Sequence, residues 1–119
     1  MPKSAQRKKH ILFVSNTNVH RSPTAELLFS EKPGYEVRSA GISMLSKMPV
    51  TRELVEWADM IFVMDEAREG QKTALLKNFP MIAGLEEKIV VLNIPDKYLF
   101  GSQELVRIIE KKMKRYIEP

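Results

Sequence analysis

The chain of 119 residues contains no cysteine. It therefore cannot form disulfides, a zinc–thiolate site, an iron–sulfur cluster or a cysteine-based redox relay. Long apolar runs are also missing, since the longest covers only residues 60–64, whereas a membrane-spanning helix needs about 18 residues. No apolar segment of the signal-peptide type follows the basic start of the chain. These absences predict a soluble, cytoplasmic protein with no membrane partner.

The net charge of +4 resides in the first nine residues. Removing their four basic residues from the 19 Lys and Arg leaves 15, which equals the number of Asp and Glu. The four are Lys3, Arg7, Lys8 and Lys9. We interpret residues 1–9 as a basic flexible tail and residues 10–119 as one neutral domain. A polyanion-binding arm is the alternative for the tail, but the neutral domain predicts no nucleic-acid partner.

Three short apolar runs, at residues 11–14, 60–63 and 89–92, lack alternation. Such runs are typical of strands buried on both faces of a parallel sheet. A fourth segment, residues 35–40, alternates more and predicts an edge strand.

Helical patterns separate and follow these strands. Ser22 as N-cap and Pro23 at the first helical position predict a helix that runs to Phe29. Further helices are expected over residues 51–58, 66–79 and 102–116.

The resulting β-α-β-α-β-α-β-α order predicts a single-domain α/β fold, a three-layer sandwich. A four-stranded parallel sheet carries helices on both faces. In such sheets ligands bind beyond the carboxyl ends of the strands, where the strand order reverses. We therefore expect the functional site in the loop after the first strand.

That loop comprises residues 15–22, Ser-Asn-Thr-Asn-Val-His-Arg-Ser. Backbone N–H groups and the positive end of a helix dipole converge at such a strand-to-helix turn and favour an anion. The guanidinium of Arg21 can hold two oxygens of a phosphate together. The predicted phosphate-binding residues are Asn16, Thr17, Asn18, Val19, His20, Arg21 and Ser22.

Residues 11–26, Ile-Leu-Phe-Val-Ser-Asn-Thr-Asn-Val-His-Arg-Ser-Pro-Thr-Ala-Glu, resemble the phosphate loop of the low-molecular-weight protein tyrosine phosphatases, most of all a short prokaryotic branch. Ser15 occupies the position of the nucleophilic cysteine, and Asn18, Arg21 and Ser22 match the loop asparagine, arginine and serine. The resemblance continues at residues 39–41, 62–65 and 94–98.

The resemblance implies a flavodoxin-like fold and a hydrolase that removes phosphate from a phosphotyrosine-type monoester through a phosphocysteine intermediate. It implies Ser15, Arg21 and Asp96 as the catalytic positions, with Asp96 as general acid. Tyr98 and Met44 would form the substrate wall. Phosphate, sulfate or a phosphotyrosine-type substrate is the expected partner; no cofactor, no metal and no particular oligomeric state are predicted.

Ser15 breaks this scheme, because a serine hydroxyl stays protonated where a thiol would ionise. His20 is close in sequence but is expected to be structural or solvent-facing rather than a base for Ser15. The sequence thus predicts phosphate binding with very low turnover. Two readings stay open. Ser15 is a deliberate cysteine-to-serine replacement, which the retained Asp96 favours, or the protein is a natural pseudophosphatase that binds phosphate or phosphoproteins.

Overall fold

The computed structural model describes residues 8–117. The first seven residues of the expected tail lie outside the described residues. Lys9, placed in that tail by its charge, is instead the first residue of a strand, because it pairs with Tyr35 and donates its N–H to Gly34 O at 2.9 Å.

Four strands form one parallel sheet in the order β2-β1-β3-β4. They are β1 (Lys9–Ser15), β2 (Tyr35–Gly41), β3 (Met60–Val63) and β4 (Ile89–Val91). This confirms the predicted α/β class, and β2 lies at an edge as expected. The run at residues 89–92 was expected to be buried on both faces, but β4 forms the opposite edge, and Val90 and Val91 are only half-buried.

Helices cover both faces of the sheet and complete the three layers. They are α1 (Arg21–Phe29), α2 (Arg52–Trp57), α3 (Gln71–Asn78) and α4 (Gln103–Met113). Alternate residues of β1 point to opposite faces, so Phe13 packs with α1 and α4 whereas Leu12 packs with α2 and α3. Within residues 8–117, no helix combines the length and apolar character that crossing a membrane requires.

Two helix starts agree with the sequence analysis. The hydroxyls of Thr51 and Ser102 cap α2 and α4 by accepting the N–H of Leu54 and Leu105. The start of α1 was placed wrongly, because the helix begins at Arg21 and the Ser22 hydroxyl bonds within the preceding loop. At its other end, α4 stops at Met113, short of the expected residue 116.

The helix expected over residues 66–79 begins only at Gln71. Gly70 adopts a left-handed conformation with φ of 59°, which interrupts the helical backbone. The Glu66 carboxylate lies over the start of α3 and accepts the N–H of Lys72 and the hydroxyl of Thr73. The hydrogen bond from the Thr73 side chain, with help from backbone N–H groups, lowers the pKa of Glu66, so this cap is ionised at neutral pH.

Gly41, the last residue of β2, is the point on which residues 42–50 fold back. Its N–H donates to Met48 O at 2.8 Å and its carbonyl accepts from Val50 N at 2.9 Å. A Cβ at this position would lie 2.5 Å from the Ser46 Cβ and 2.8 Å from the Asn16 carbonyl oxygen. Only glycine fits between these groups without displacing backbone.

We predict that Gly41→Ala lowers the free energy of unfolding by about 1–3 kcal/mol, the usual cost of overpacking. Urea denaturation measures the loss. Gly41→Ala combined with Ser46→Gly removes the nearer contact and should recover part of it. Unchanged stability of Gly41→Ala would contradict this account of the turn.

Candidate anion-binding site at the end of β1

The loop between β1 and α1, residues 16–20, lies at the carboxyl edge of the sheet. Chain order reverses here, because β2 and β3 pair with opposite sides of β1. This is the position at which open α/β sheets place their ligands. The loop that the sequence analysis singled out therefore lies at the edge of the sheet where such folds bind ligands.

Hydrogen bonds among buried side chains shape the inside of the loop. The Ser15 Oγ accepts the N–H of Asn18 at 3.2 Å and lies 2.6 Å from the Ser22 Oγ. Ser22 donates its hydroxyl to Asn18 Oδ1 at 2.8 Å, so its oxygen is left to accept the proton of Ser15. Asn18 has a φ of 58°, a conformation that asparagine tolerates better than most residues.

The backbone of the loop leaves several N–H groups without an acceptor, whereas three carbonyls at its start are hydrogen-bonded. The carbonyls of Ser15, Asn16 and Thr17 accept bonds from the segment after β2, whose Ile42, Ser43 and Lys47 donate at 2.9, 2.9 and 3.3 Å. Within residues 8–117 no group accepts the loop N–H groups of four residues: Asn16, Thr17, Val19 and His20. Such a set of unpaired donors beside a helix N-terminus is suited to an anion.

Arg21 is almost fully buried and its guanidinium is held from one end. Its Nη1 and Nη2 donate to the two carboxylate oxygens of Glu69, each at 2.8 Å, and Nη1 also donates to Ile94 O at 2.9 Å. A guanidinium has five N–H groups. The Nε–H and the second Nη2–H, which share one edge, are left for a further acceptor. Asp96 lies at this edge, with Oδ1 3.8 Å from Nε.

A network of hydrogen bonds beyond Glu69 connects the end of β3 to the loop after β1. The fully buried Gln71 donates from Nε2 to Glu69 Oε1 at 3.0 Å and to Asn16 Oδ1 at 3.1 Å. Its Oε1 accepts the N–H of Asp65 at 2.9 Å. Asp65 in turn accepts the N–H groups of Arg68 and Glu69 through Oδ2. The position of the Glu69 carboxylate is thus held by Gln71 and Asp65 as well as by Arg21.

Glu69 and Gln71 are not among the predicted site residues, because the pattern of residues 66–79 predicts a regular helix that contains both. One signal could have found them. Parallel strands end at the same edge of a sheet, so polar residues that follow β3 come close to the loop that follows β1.

The segment that carries Asp96 is anchored at both ends by neighbouring residues. Arg21 holds the Ile94 carbonyl, while His20 Nδ1 accepts the N–H of Phe100 at 3.0 Å. Thr24 Oγ1 reinforces the second anchor by accepting the N–H of Gly101 at 2.9 Å. His20 therefore acts structurally, and its ring nitrogen is engaged away from Ser15. The side chain of Asp96 itself is 58% exposed.

The two residues of the expected substrate wall occupy different environments. Met44 is 85% exposed on the segment after β2. Tyr98 is half-buried and packs against the core cluster beneath α4, with Lys97 Nζ 5.5 Å from its ring centroid. The exposed aromatic ring of this segment belongs to Phe100.

No protein-family profile matches the chain, and no curated protein sequence matches it significantly. Solved structures do match. The low-molecular-weight protein tyrosine phosphatase SP-PTP of Streptococcus pyogenes is 16% identical, with a TM-score of 0.73 over 92% of this chain and 94% of its own. Wzb, a tyrosine phosphatase of Escherichia coli K30 solved with phosphate, is 19% identical, with a TM-score of 0.73 over 92% and 96%.

The YwlE arginine phosphatase of Geobacillus stearothermophilus is 23% identical, with a TM-score of 0.63 over 93% of this chain and 99% of its own. At these identities the likeness concerns the fold. The chain has the architecture of the low-molecular-weight protein tyrosine phosphatases, as the sequence resemblance predicted.

We predict strong energetic coupling between Arg21 and Glu69. Arg21→Ala or Glu69→Ala should each lower the free energy of unfolding by about 3–5 kcal/mol, because either change leaves a buried charge without its partner. The double variant should lose clearly less than the two single losses added together. Chemical denaturation of the four proteins measures the coupling, and additive losses would show that the pair is not a unit.

Proposed function

We propose that the loop of residues 15–22 binds the phosphate of a phosphomonoester, in a hydrolase-type site related to that of the low-molecular-weight tyrosine phosphatases. One observation carries the proposal: four backbone N–H groups of the loop after Ser15 have no acceptor among the described residues, and the adjoining Arg21 keeps two N–H groups open on one edge. Amides fixed in direction can balance the charge of a phosphoryl group without reorganising. The phosphate bound to Wzb of Escherichia coli K30, which has the same fold, supports this choice of anion.

Each residue has a distinct role in this proposal. The Nε–Nη2 edge of Arg21 takes two phosphate oxygens as a bidentate donor. Asp96, which is exposed and next to that edge, donates a proton to the leaving oxygen of the ester. A general acid in this role typically accelerates the step about 10²–10⁴-fold. Glu69 keeps the guanidinium aimed, because it occupies the two N–H groups at the opposite end.

Ser15 stands where the attacking atom would lie. Its hydroxyl exchanges hydrogen bonds only with Ser22 and the N–H of Asn18 among the described residues, and neither is a base. A neutral serine hydroxyl is a poor nucleophile without one. The chain as it stands is therefore a phosphate binder with very low turnover.

A phosphate- or phosphoprotein-binding module without catalysis, as in a natural pseudophosphatase, is the second candidate. The Ser15 hydroxyl favours this candidate, because its hydrogen-bond partners are a hydroxyl and a backbone N–H rather than a base. The position of Asp96, 3.8 Å from Arg21, favours a site retained for catalysis, since binding alone does not need an acid there.

Ser15→Cys tests the proposal. A thiol at this helix N-terminus ionises near neutral pH, so the hydrolysis of p-nitrophenyl phosphate should rise at least about 10³-fold. Ser15→Ala is the matched control and should show no gain. Adding Asp96→Asn to Ser15→Cys should remove much of the gain for poor leaving groups, because the acid is then missing.

Calorimetric titration with inorganic phosphate separates the two candidates when it is combined with the Ser15→Cys assay. Binding that weakens at least about tenfold in Arg21→Lys, which loses the bidentate edge, is expected in both. Phosphate binding without any gain in Ser15→Cys would favour the binding module. No phosphate binding and no gain would overturn the proposed function.

A further inference from the structure

The exposed large apolar side chains of the described residues are concentrated around the anion site. Eight such side chains are exposed, and six of them lie on the phosphate loop or on the segments after β2 and β4. We call these six the apolar collar: Val19, Met44, Leu45, Met48, Leu99 and Phe100. Leu45 is 94% and Leu99 70% exposed, so their side chains are almost unprotected from water. The remaining two, Leu27 and Met81, lie elsewhere.

Both segments of the collar are attached to the phosphate loop. The segment after β2 donates three backbone N–H groups to the carbonyls of residues 15–17. The segment after β4 is bound to His20 and Thr24 through Phe100 and Gly101. A hollow of about 420 Å³ joins the two sides, with Val19, Lys47 and Phe100 among its lining residues. The collar therefore flanks the loop on two sides.

We infer that the anion site binds a phosphorylated residue of a protein segment, and that this segment carries large apolar side chains next to the phosphorylated residue. The inference rests on the proposed function and narrows its substrate class. The hollow that Val19 and Phe100 line also contains Asn18 and His20 of the loop, so a molecule that places a phosphate in the loop lies beside collar residues. Contiguous exposed apolar surface in a soluble protein marks an interaction site, and burying it favours binding in proportion to the apolar area covered.

A polyhydroxylated small phosphate ester matches this surface poorly. Esters of sugars or of other polyhydroxylated carriers offer hydroxyl groups, and these need polar partners when they are buried. The collar offers them aliphatic, thioether and phenyl groups instead.

A lipid surface fits less well than a protein segment. Anionic membranes attract clusters of about four to eight basic residues. The two segments of the collar carry one lysine each, Lys47 and Lys97, and between them the exposed carboxylate of Asp96 would face the lipid phosphates. The charge pattern thus favours a protein partner.

The test uses the full chain with its own Ser15, which binds without consuming the probe. Two fluorescent phosphotyrosine peptides of equal length and charge are compared, one with Leu and Phe on both sides of the phosphotyrosine and one with Ser at those positions. Fluorescence anisotropy should show at least about tenfold tighter binding of the first peptide. Leu45→Ser combined with Leu99→Ser should abolish this preference and leave the Kd for inorganic phosphate within about twofold.

Leu27→Ser combined with Met81→Ser is the control, since it also replaces two exposed apolar side chains with serine but does so away from the site. It should retain the tenfold preference. Equal binding of the two peptides by the unchanged chain, or a preference that survives in the Leu45/Leu99 variant, overturns the inference. If inorganic phosphate binds in either case, the proposed function stands; if it does not bind at all, the proposed function fails first.

Two further measurements detect other occupants. Sedimentation of vesicles made of phosphatidylcholine with and without phosphatidic acid should leave the chain in solution. Analytical ultracentrifugation should give the same mass for the unchanged chain and the Leu45/Leu99 variant. Vesicle binding that needs Leu45 and Leu99, or a dimer lost in that variant, would assign the collar to lipid or to a second copy and overturn the inference.

Discussion

The anion site depends on how one buried guanidinium is shared. Glu69 and the Ile94 carbonyl take three of the five N–H groups of Arg21, and the other two remain on one edge. A buried arginine without such partners would lower the stability of the fold, and a guanidinium free to rotate would not present a defined edge to a ligand. The Glu69 carboxylate that stabilises the charge of Arg21 therefore also determines how the guanidinium is oriented. Because Gln71 bridges Glu69 to Asn16, this direction is coupled to the loop that would hold the anion.

The polarity of that loop comes from its neighbours as much as from its own residues. The segment that folds back on Gly41 donates to three successive carbonyls, those of residues 15–17, and so occupies oxygens that would otherwise be free to repel an anion. Four N–H groups of the same loop have no acceptor among the described residues. An alanine at position 41 would disturb this arrangement from outside the loop.

Local patterns in the sequence predicted most of the fold, and they placed the proposed anion site in the loop after β1. The unbroken apolar runs predicted parallel strands, and the strand-to-helix turn at residues 15–22 predicted the position of the anion site. Longer-range geometry was not accessible in this way. Glu69 lies 48 residues from Arg21 in the chain, and its role depends on a turn at Gly70 that helical periodicity hid.

The roles of aromatic residues show the same limit. Tyr98 and Phe100 are two residues apart, and nothing in their immediate sequence says which one packs beneath α4 and which one stays exposed. The structure separates them, because the backbone of Phe100 is bound to His20 while the ring of Tyr98 joins the core cluster.

The attachment of the Asp96 segment has a consequence for variation of its length. Only residues 95–99 span the gap between Ile94 and Phe100, and both supports stand on adjacent positions of the chain, Arg21 and His20. An inserted residue cannot move the supports apart, so it must bow the span outward. A deleted residue must straighten the segment and bring it closer to the anion site. The distance of the Asp96 carboxylate from the anion site thus depends on the number of residues between Ile94 and Phe100. In chains of this architecture, a change in that number would alter this distance and leave the loop of residues 15–22 unchanged.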